Sequence, residues 1–300
     1  MVITLGIIGY GEVGAIFCRG LLTHTNIKEI WVWDLKFADP VAGAAAQAAA
    51  VSDGMRVAVD LQALCAASDL IISAVTASSA WNVAENAAKY ARAHTRYLDL
   101  NSASPKTKQQ AGSALEAVGV SYTEAGVMTS VPPYGIRVPM LLGGPGAEEL
   151  AIILRTLCMN VRVVSLTLGV ASAIKMSRSI MIKGLEALVV ESYTTARFFG
   201  VEEHVLPTLK ETFPQIDWDL QGAYFFNRVA QHGKRRAEEL REAARTVSET
   251  GFDPLMATAI ASKQDWVAQQ AQAGAFEGLD AKSPWQAYAD RLIGQKRSSQ

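Results

Sequence analysis

Short apolar runs alternate with alanine-rich amphipathic stretches through the first half of the chain. The apolar runs predict strands over 2–8, 29–34, 55–59, 69–75, 96–101 and 121–126. Helical periodicity between them predicts helices near 12–23, 40–50, 60–67, 78–92 and 104–118. Such alternation specifies a doubly wound parallel sheet, whose ligand lies off the C-terminal strand ends. Two further β-like runs, Met140-Leu141-Leu142 and Val161-Arg162-Val163-Val164, bracket a helical stretch and finish the sheet. From Ser165 onward strand signals give out, and long helical periodicity is interrupted at Pro207, Pro214, Pro254 and Pro284. The expected organisation is an α/β domain over residues 1–165 followed by an all-α domain over 166–300.

The first strand runs into Gly9-Tyr10-Gly11-Glu12-Val13-Gly14, and the second ends in Asp34. This is the order of a dinucleotide-binding βαβ unit. Gly9 permits the tight turn, Gly11 lets the backbone approach a pyrophosphate, and Gly14 lets helix pack on strand. The diphosphate would sit at a helix N-terminus, where unpaired N–H groups and the helix dipole favour an anion. A carboxylate at Asp34 can accept from both adenosine ribose hydroxyls and would repel a 2′-phosphate, so NAD is favoured, with NADP possible. A glycine-rich turn alone could be a tight connection. Strand, helix, strand and acid together make a Rossmann-type domain the expectation, with residues 9–14 and Asp34 on the cofactor.

Composition narrows the class. Three hundred residues exceed one ordinary core, which agrees with two domains. A net charge of -1 offers no electrostatic case for nucleic acid or an anionic membrane surface. No apolar run spans a bilayer and the chain opens directly on a strand, so a cytoplasmic location is expected. Cys18, Cys65 and Cys158 are far apart in apolar context and read as buried small hydrophobes, with neither a disulfide framework nor metal-ligand spacing.

The cofactor must pass over the strand ends. After the fourth strand come Val75-Thr76-Ala77-Ser78-Ser79, small residues that would let adenosine approach, although Ser78 or Ser79 could simply cap a helix. After the fifth come Asp99-Leu100-Asn101-Ser102-Ala103-Ser104-Pro105. Capping accounts for Ser104 and Pro105, which leaves Asn101 and Ser102 at the edge of the expected nicotinamide site. In the second half, small residues at 169 and 171–173 precede Lys175, Arg178, Ser179 and Ile182, which share one helix face. An ammonium near a reacting hydroxyl can serve as general acid or base if burial and a neighbouring cation lower its pKa. Two basic residues on a solvated helix face would be the alternative.

In this stretch the chain resembles the β-hydroxyacid dehydrogenase family, which includes 6-phosphogluconate, 3-hydroxyisobutyrate and tartronate semialdehyde dehydrogenases. Gly9, Gly11 and Gly14 match its fingerprint. Residues Asp99 to Pro105 resemble its D-x-S-T-x-S-P element, which implies that Ser102 approaches the nicotinamide ribose. Glu124-Ala125-Gly126-Val127-Met128-Thr129-Ser130 resembles its substrate element D-A-P-V-S-G-G, and Lys175 falls on its catalytic lysine. Three departures imply altered substrate hydrogen bonding: Thr129-Ser130 replaces two glycines, Ala171 the second glycine of the lysine motif, and Ser179 the asparagine one turn after the lysine. The second half is most similar to a bacterial subgroup with a phosphogluconate dehydrogenase C-terminal-like domain.

The resemblance implies hydride transfer between NAD and a small hydroxy acid or related polar alcohol, with Lys175 as general acid/base. Ser179, Ser102, Thr129 and Ser130 would orient the substrate, and Arg178 would hold an anionic group. His232, at the head of His232-Gly233-Lys234-Arg235-Arg236, would reach the cofactor cleft. Ordinary i,i+4 ion pairs with Glu238, Glu239 and Glu242 are the alternative for that segment. A homodimer through the helical domain would cover Leu185, Leu188, Val189, Phe198, Phe199, Phe225 and Phe226. Two other functions remain open: an imine or ketimine reductase, whose relatives usually replace this lysine, and a non-catalytic NAD-binding regulator, which has no evident need of it.

Overall fold

A computed structural model describes residues 2–297, and the chain divides into two compact units, Met1–Met176 and Ser177–Gln300. In the first unit the strands are β1 (Ile3–Ile8), β2 (Ile27–Trp33), β3 (Arg56–Val57), β4 (Leu70–Ser73), β5 (Arg96–Asp99), β6 (Ser121–Val127), β7 (Met140–Gly143) and β8 (Val161–Ser165). The helices between them are α1 (Glu12–Leu22), α2 (Ala42–Ser52), α3 (Leu61–Ala67), α4 (Ala80–Ala88), α5 (Pro105–Glu116) and α6 (Ala147–Thr156).

The strands form one sheet in the order β3-β2-β1-β4-β5-β6-β7-β8. Pairing is parallel except between β6 and β7, whose antiparallel register is the one departure from the expected parallel sheet. Apolar burial explains why both faces are covered. Ile3, Leu5 and Ile7 point into a core with Phe17 and Leu21 of α1, Ala50 of α2 and Leu154 of α6. On the opposite face Ile8 and Ile71 meet Leu64 of α3, Ala84 of α4 and Leu115 of α5. Because successive strand side chains alternate between faces, apolar residues at adjacent positions feed both cores.

Helix α7 (Val170–Phe199) carries the division between the units. The second unit continues through α8 (Glu202–Thr212), α9 (Trp218–Glu249), α10 (Leu255–Gln272) and α11 (Trp285–Arg297). Val189, Tyr193, Phe226, Val229, Val267, Trp285 and Leu292 form its core. Pro254 and Pro284 precede helices as expected, but Pro207 lies inside α8 rather than ending it. Of the helix residues expected to need burial, Val189 and Phe226 are buried within the chain. Leu188, Phe198 and Phe199 are exposed, Phe199 by 70%.

Cys18 and Cys65 are buried as expected, and burial pushes both thiols up to about 12, which leaves them protonated and inert. Cys158 is exposed, a correction to the sequence expectation. It sits in a left-handed turn after α6 with φ 58°, where the chain reverses toward β8 and the side chain cannot follow the helix into the core. Among the described residues no helix is long and apolar enough to cross a membrane.

Candidate active site

The glycine-rich turn has the geometry its sequence implied. Gly9 has φ 95°, a conformation that a side chain would strain. A Cβ on Gly14 would collide with the carbonyl oxygen of Gly9, so helix α1 can leave the sheet at this angle only with glycine there. Around Gly11 the requirement is different: nothing lies within 4 Å of where its Cβ would stand. Gly11 is the N-cap of α1, and no side chain caps that helix end. An uncapped helix N-terminus beside open space would suit a diphosphate, so these residues fit a dinucleotide. Glu12 is exposed and Val13 half-buried at this helix end.

The neighbouring residues hold the turn in place. Tyr10 donates its backbone N–H to Asp34 Oδ2 at 2.7 Å, and its hydroxyl donates to Asp53 Oδ2 at 2.6 Å. Asp34 also accepts from the Lys36 N–H at 2.9 Å, capping a short 3-10 turn, Leu35–Ala38. A carboxylate offers about four lone-pair directions. Two backbone donors therefore leave acceptor capacity for ribose hydroxyls. Lys36 turns inward: its ammonium stands 3.9 Å from Asp34 and donates to the Tyr10 carbonyl.

At the ends of β4 and β5 the side chains brace one another. Asn101, only 3% exposed, accepts from the Val75 N–H at 2.7 Å and donates to Ser73 Oγ at 2.9 Å. Its amide thus ties the two strand ends together and supports the surface a cofactor would cross. Thr76 is exposed, its hydroxyl 3.2 Å from Ser78 Oγ and 3.0 Å from Ser79 Oγ. Ser104 caps α5 as expected, accepting from the Thr107 N–H.

Below this loop lies a buried ionic network that sequence reading did not find. Lys108 and Asp99, each 1% exposed, pair at 2.9 Å, and Tyr122 donates to Asp99 Oδ2 at 2.7 Å. Asp99 also accepts from the Asn101 N–H, so the network fixes the start of the Asn101-Ser102 segment. Burial first, and then the Asp99 charge, push the Tyr122 phenol well above its ordinary range, keeping it a donor. The only sequence trace was a lysine on the apolar side of a predicted helix.

Lys175, half-buried on α7, donates to Ser102 Oγ at 2.6 Å. The seat of this lysine is built by Glu124 on β6, which is fully buried. Its Oε1 accepts from the N–H groups of Gly169 at 2.7 Å and Ala171 at 3.0 Å, and its Oε2 from Ser172 at 3.3 Å. A carboxylate from a strand therefore caps the helix that carries Lys175, favourable both for the orphan N–H groups and for the helix dipole. Glycines clear the room: a Cβ on Gly143 would stand 2.6 Å from Glu124 Oε1, and one on Gly126 3.0 Å from the Ala171 carbonyl. Thr129 is exposed and Ser130 half-buried in the segment after β6.

The remaining expected site residues belong to the second unit. Arg178 is exposed on α7. Ser179 is 7% exposed and its hydroxyl is bonded to the Lys183 ammonium. His232 is half-buried on α9. Several side chains in and after the basic segment pair with other helices. Arg236, 5% exposed, pairs with Glu186 of α7, while Glu239 pairs with Lys183 at 2.7 Å and Arg241 with Asp265 of α10. Helix packing brings these sequence-distant partners together.

The profile of the NAD binding domain of 6-phosphogluconate dehydrogenase matches residues 4–134, and that of a domain of unknown function, DUF1932, matches residues 196–267. A conserved hypothetical protein from Sinorhizobium meliloti 1021 is 34% identical, with 98% of this chain and 97% of that one covered and a TM-score of 0.77. MTH1747, a conserved protein of unknown function with structural similarity to 3-hydroxyacid dehydrogenases, is 29% identical over 90% of this chain and 98% of its own, with a TM-score of 0.68. The 3-hydroxyisobutyrate dehydrogenase of Mycobacterium tuberculosis shares the fold, with a TM-score of 0.70 at 16% identity over 97% and 99% of the two chains. The chain belongs to the family of that Sinorhizobium meliloti protein, joining a 6-phosphogluconate dehydrogenase-type NAD-binding domain to a DUF1932 domain, and it has the fold of the 3-hydroxyacid dehydrogenases.

Proposed function

We propose that this protein is an NAD-dependent dehydrogenase of a small hydroxy acid, with Lys175 as its general acid/base. The observation that carries this reading is the 2.6 Å contact of Lys175 Nζ with Ser102 Oγ. It sets a titratable amine beside the loop that follows β5, at the C-terminal ends of the strands, where a doubly wound sheet binds its ligand. Bound along Gly9–Gly14 and Asp34, NAD would supply the hydride acceptor for the carbinol carbon. The neutral Lys175 amine takes the hydroxyl proton as the carbonyl forms, and the ammonium returns it in the reverse direction. Ser102 holds Lys175 in position and can orient the same hydroxyl. Thr129, Ser130 and Ser179 are the further candidates for orienting the substrate, and His232 for a substrate carboxylate or cofactor phosphate. A screen of NAD reduction across short hydroxy acids, sugar acids and amino alcohols tests the reading, and activity confined to amines or imines would replace it with the imine reductase alternative.

Arg178, one turn beyond Lys175, is the proposed anchor for an anionic substrate group. Arginine's planar fork suits a carboxylate better than lysine does. Arg178→Gln is expected to raise KM for the acid far more than for its amide or ester, by the equivalent of about 1.5–3 kcal/mol for a charge-assisted contact. Equal weakening of both substrates would assign Arg178 to helix or dimer support.

Cofactor choice is proposed to follow Asp34. NAD should bind more tightly than NADP, because the Asp34 carboxylate would repel a 2′-phosphate. Lys36 opposes this with an ammonium 3.9 Å away, so Lys36→Ala should widen the NAD preference in measured dissociation constants. Equal or tighter NADP binding by the unaltered protein would show that the ammonium outweighs the carboxylate. A second copy is proposed to cover the exposed Met181, Leu188 and Phe199 of α7, which mass measurement in solution tests.

A further inference from the structure

Ser179 is held by an ion pair between buried Lys183 and half-buried Glu239 that the reaction outlined above does not use. Lys183, 7% exposed on α7, bonds through its ammonium to Ser179 Oγ and pairs with Glu239 Oε2 of α9 at 2.7 Å. One turn along α7, Glu186 pairs with Arg236 of α9, and Gln264 of α10 donates to Glu186 Oε2 at 3.4 Å and to the Lys183 carbonyl at 3.5 Å. That second bridge already ties the three helices together. Lys183 instead directs a donor at a single serine hydroxyl.

The consequence lies in hydrogen-bond polarity. A serine hydroxyl can donate or accept, whereas an ammonium has donors only. With Lys183 as its partner, Ser179 Oγ must accept, and its own proton is left to donate elsewhere. Glu239 orients the ammonium through their 2.7 Å contact, so the polarity is set before any ligand arrives. We propose that Lys183 is a positioning residue that makes Ser179 a dedicated donor, selecting ligands that present an acceptor oxygen, carboxylate or carbonyl, at this point. This rests on the reading of Ser179 as a substrate-facing residue and narrows its substrate class to oxyanion-bearing short hydroxy acids, against amines.

The test is a double-mutant cycle on the protein–NADH complex with 3-hydroxypropionate as probe, its binding followed by NADH fluorescence. Ser179→Ala and Lys183→Met should each weaken the acid about tenfold, the equivalent of one hydrogen bond of roughly 1.4 kcal/mol. The double variant should be no weaker than either single one, with NADH affinity unchanged throughout. Lys183→Arg, which keeps a charged donor, should retain binding within about threefold, a change worth roughly 0.65 kcal/mol. If Lys183→Met does not fold, the contrast between Lys183→Arg and Ser179→Ala decides the matter. Independent, multiplying effects of the two substitutions, unchanged binding in either single variant, or no binding of the acid by the unaltered protein would overturn the proposal. Lys175→Ala separates the two readings: its turnover tests the proton-transfer role, while coupling between Ser179 and Lys183 in acid binding survives or fails independently of it.

Discussion

Replacing Lys175 with alanine is expected to lower turnover about 100-fold to 10,000-fold, the usual contribution of a positioned proton-transfer group. NAD affinity should be unchanged, because the glycine turn after β1 and Asp34 after β2 are far from α7 in the sequence. The loss should appear in kcat and kcat/KM together, as expected when an interaction is made only in the transition state. Ser102→Ala should produce a smaller loss in the same direction, since it removes the group that holds the amine at 2.6 Å but not the amine itself. Near-normal turnover in Lys175→Ala, measured on the substrate identified by screening, would leave Lys175 a surface lysine and remove the proposed mechanism.

Substitution of Glu124 should have the second largest effect, on both stability and turnover. Its carboxylate accepts three backbone N–H groups at the start of α7, all away from water. In Glu124→Gln one oxygen becomes an amide NH2, which faces an N–H donor with another donor. Losing a charge-assisted bond of this kind costs about 1.5–3 kcal/mol. Thermal unfolding should therefore shift down, by about 2–4 °C per kcal/mol for a domain of this size. Because the same helix end carries Lys175, kcat should also fall while NAD affinity holds. Unaltered melting temperature and turnover would mean that water or a rearranged helix end replaces the carboxylate at little cost.

The resemblance drawn from sequence aligned Glu124 with a substrate element, and geometry gives it a task of a different kind. Its backbone neighbours Gly126 and Gly143 were visible as glycines, but nothing local to either shows that one clears a path for α7 and the other for a carboxylate. Asn101 is similar. Its place after β5 was legible, whereas its use as a clamp between the ends of β4 and β5 depends on strands paired across the sheet. Antiparallel β7 was equally hidden, since an apolar run of four residues has no direction of its own.

Local physical chemistry was enough for the elements themselves. Gly9, Gly11, Gly14 and Asp34 could be assigned from sequence because the turn, the helix N-terminus and the strand end are all short-range features, governed by φ angles and by which residues lack a Cβ. Periodicity likewise located the sheet strands and the change to an all-helical second half, because burial of one face or two is written into residue spacing. Partners were another matter. Lys108 with Asp99, Arg236 with Glu186, and Lys183 with Ser179 and Glu239 are buried charges whose cost is bearable only when an opposite charge or acceptor arrives, mostly from another element. Sequence placed most of these residues on helices and Asp99 at a strand end. Only tertiary packing decided which groups neutralise them, and so whether a cation or hydroxyl is a solvated side chain, a brace or a donor aimed at a ligand.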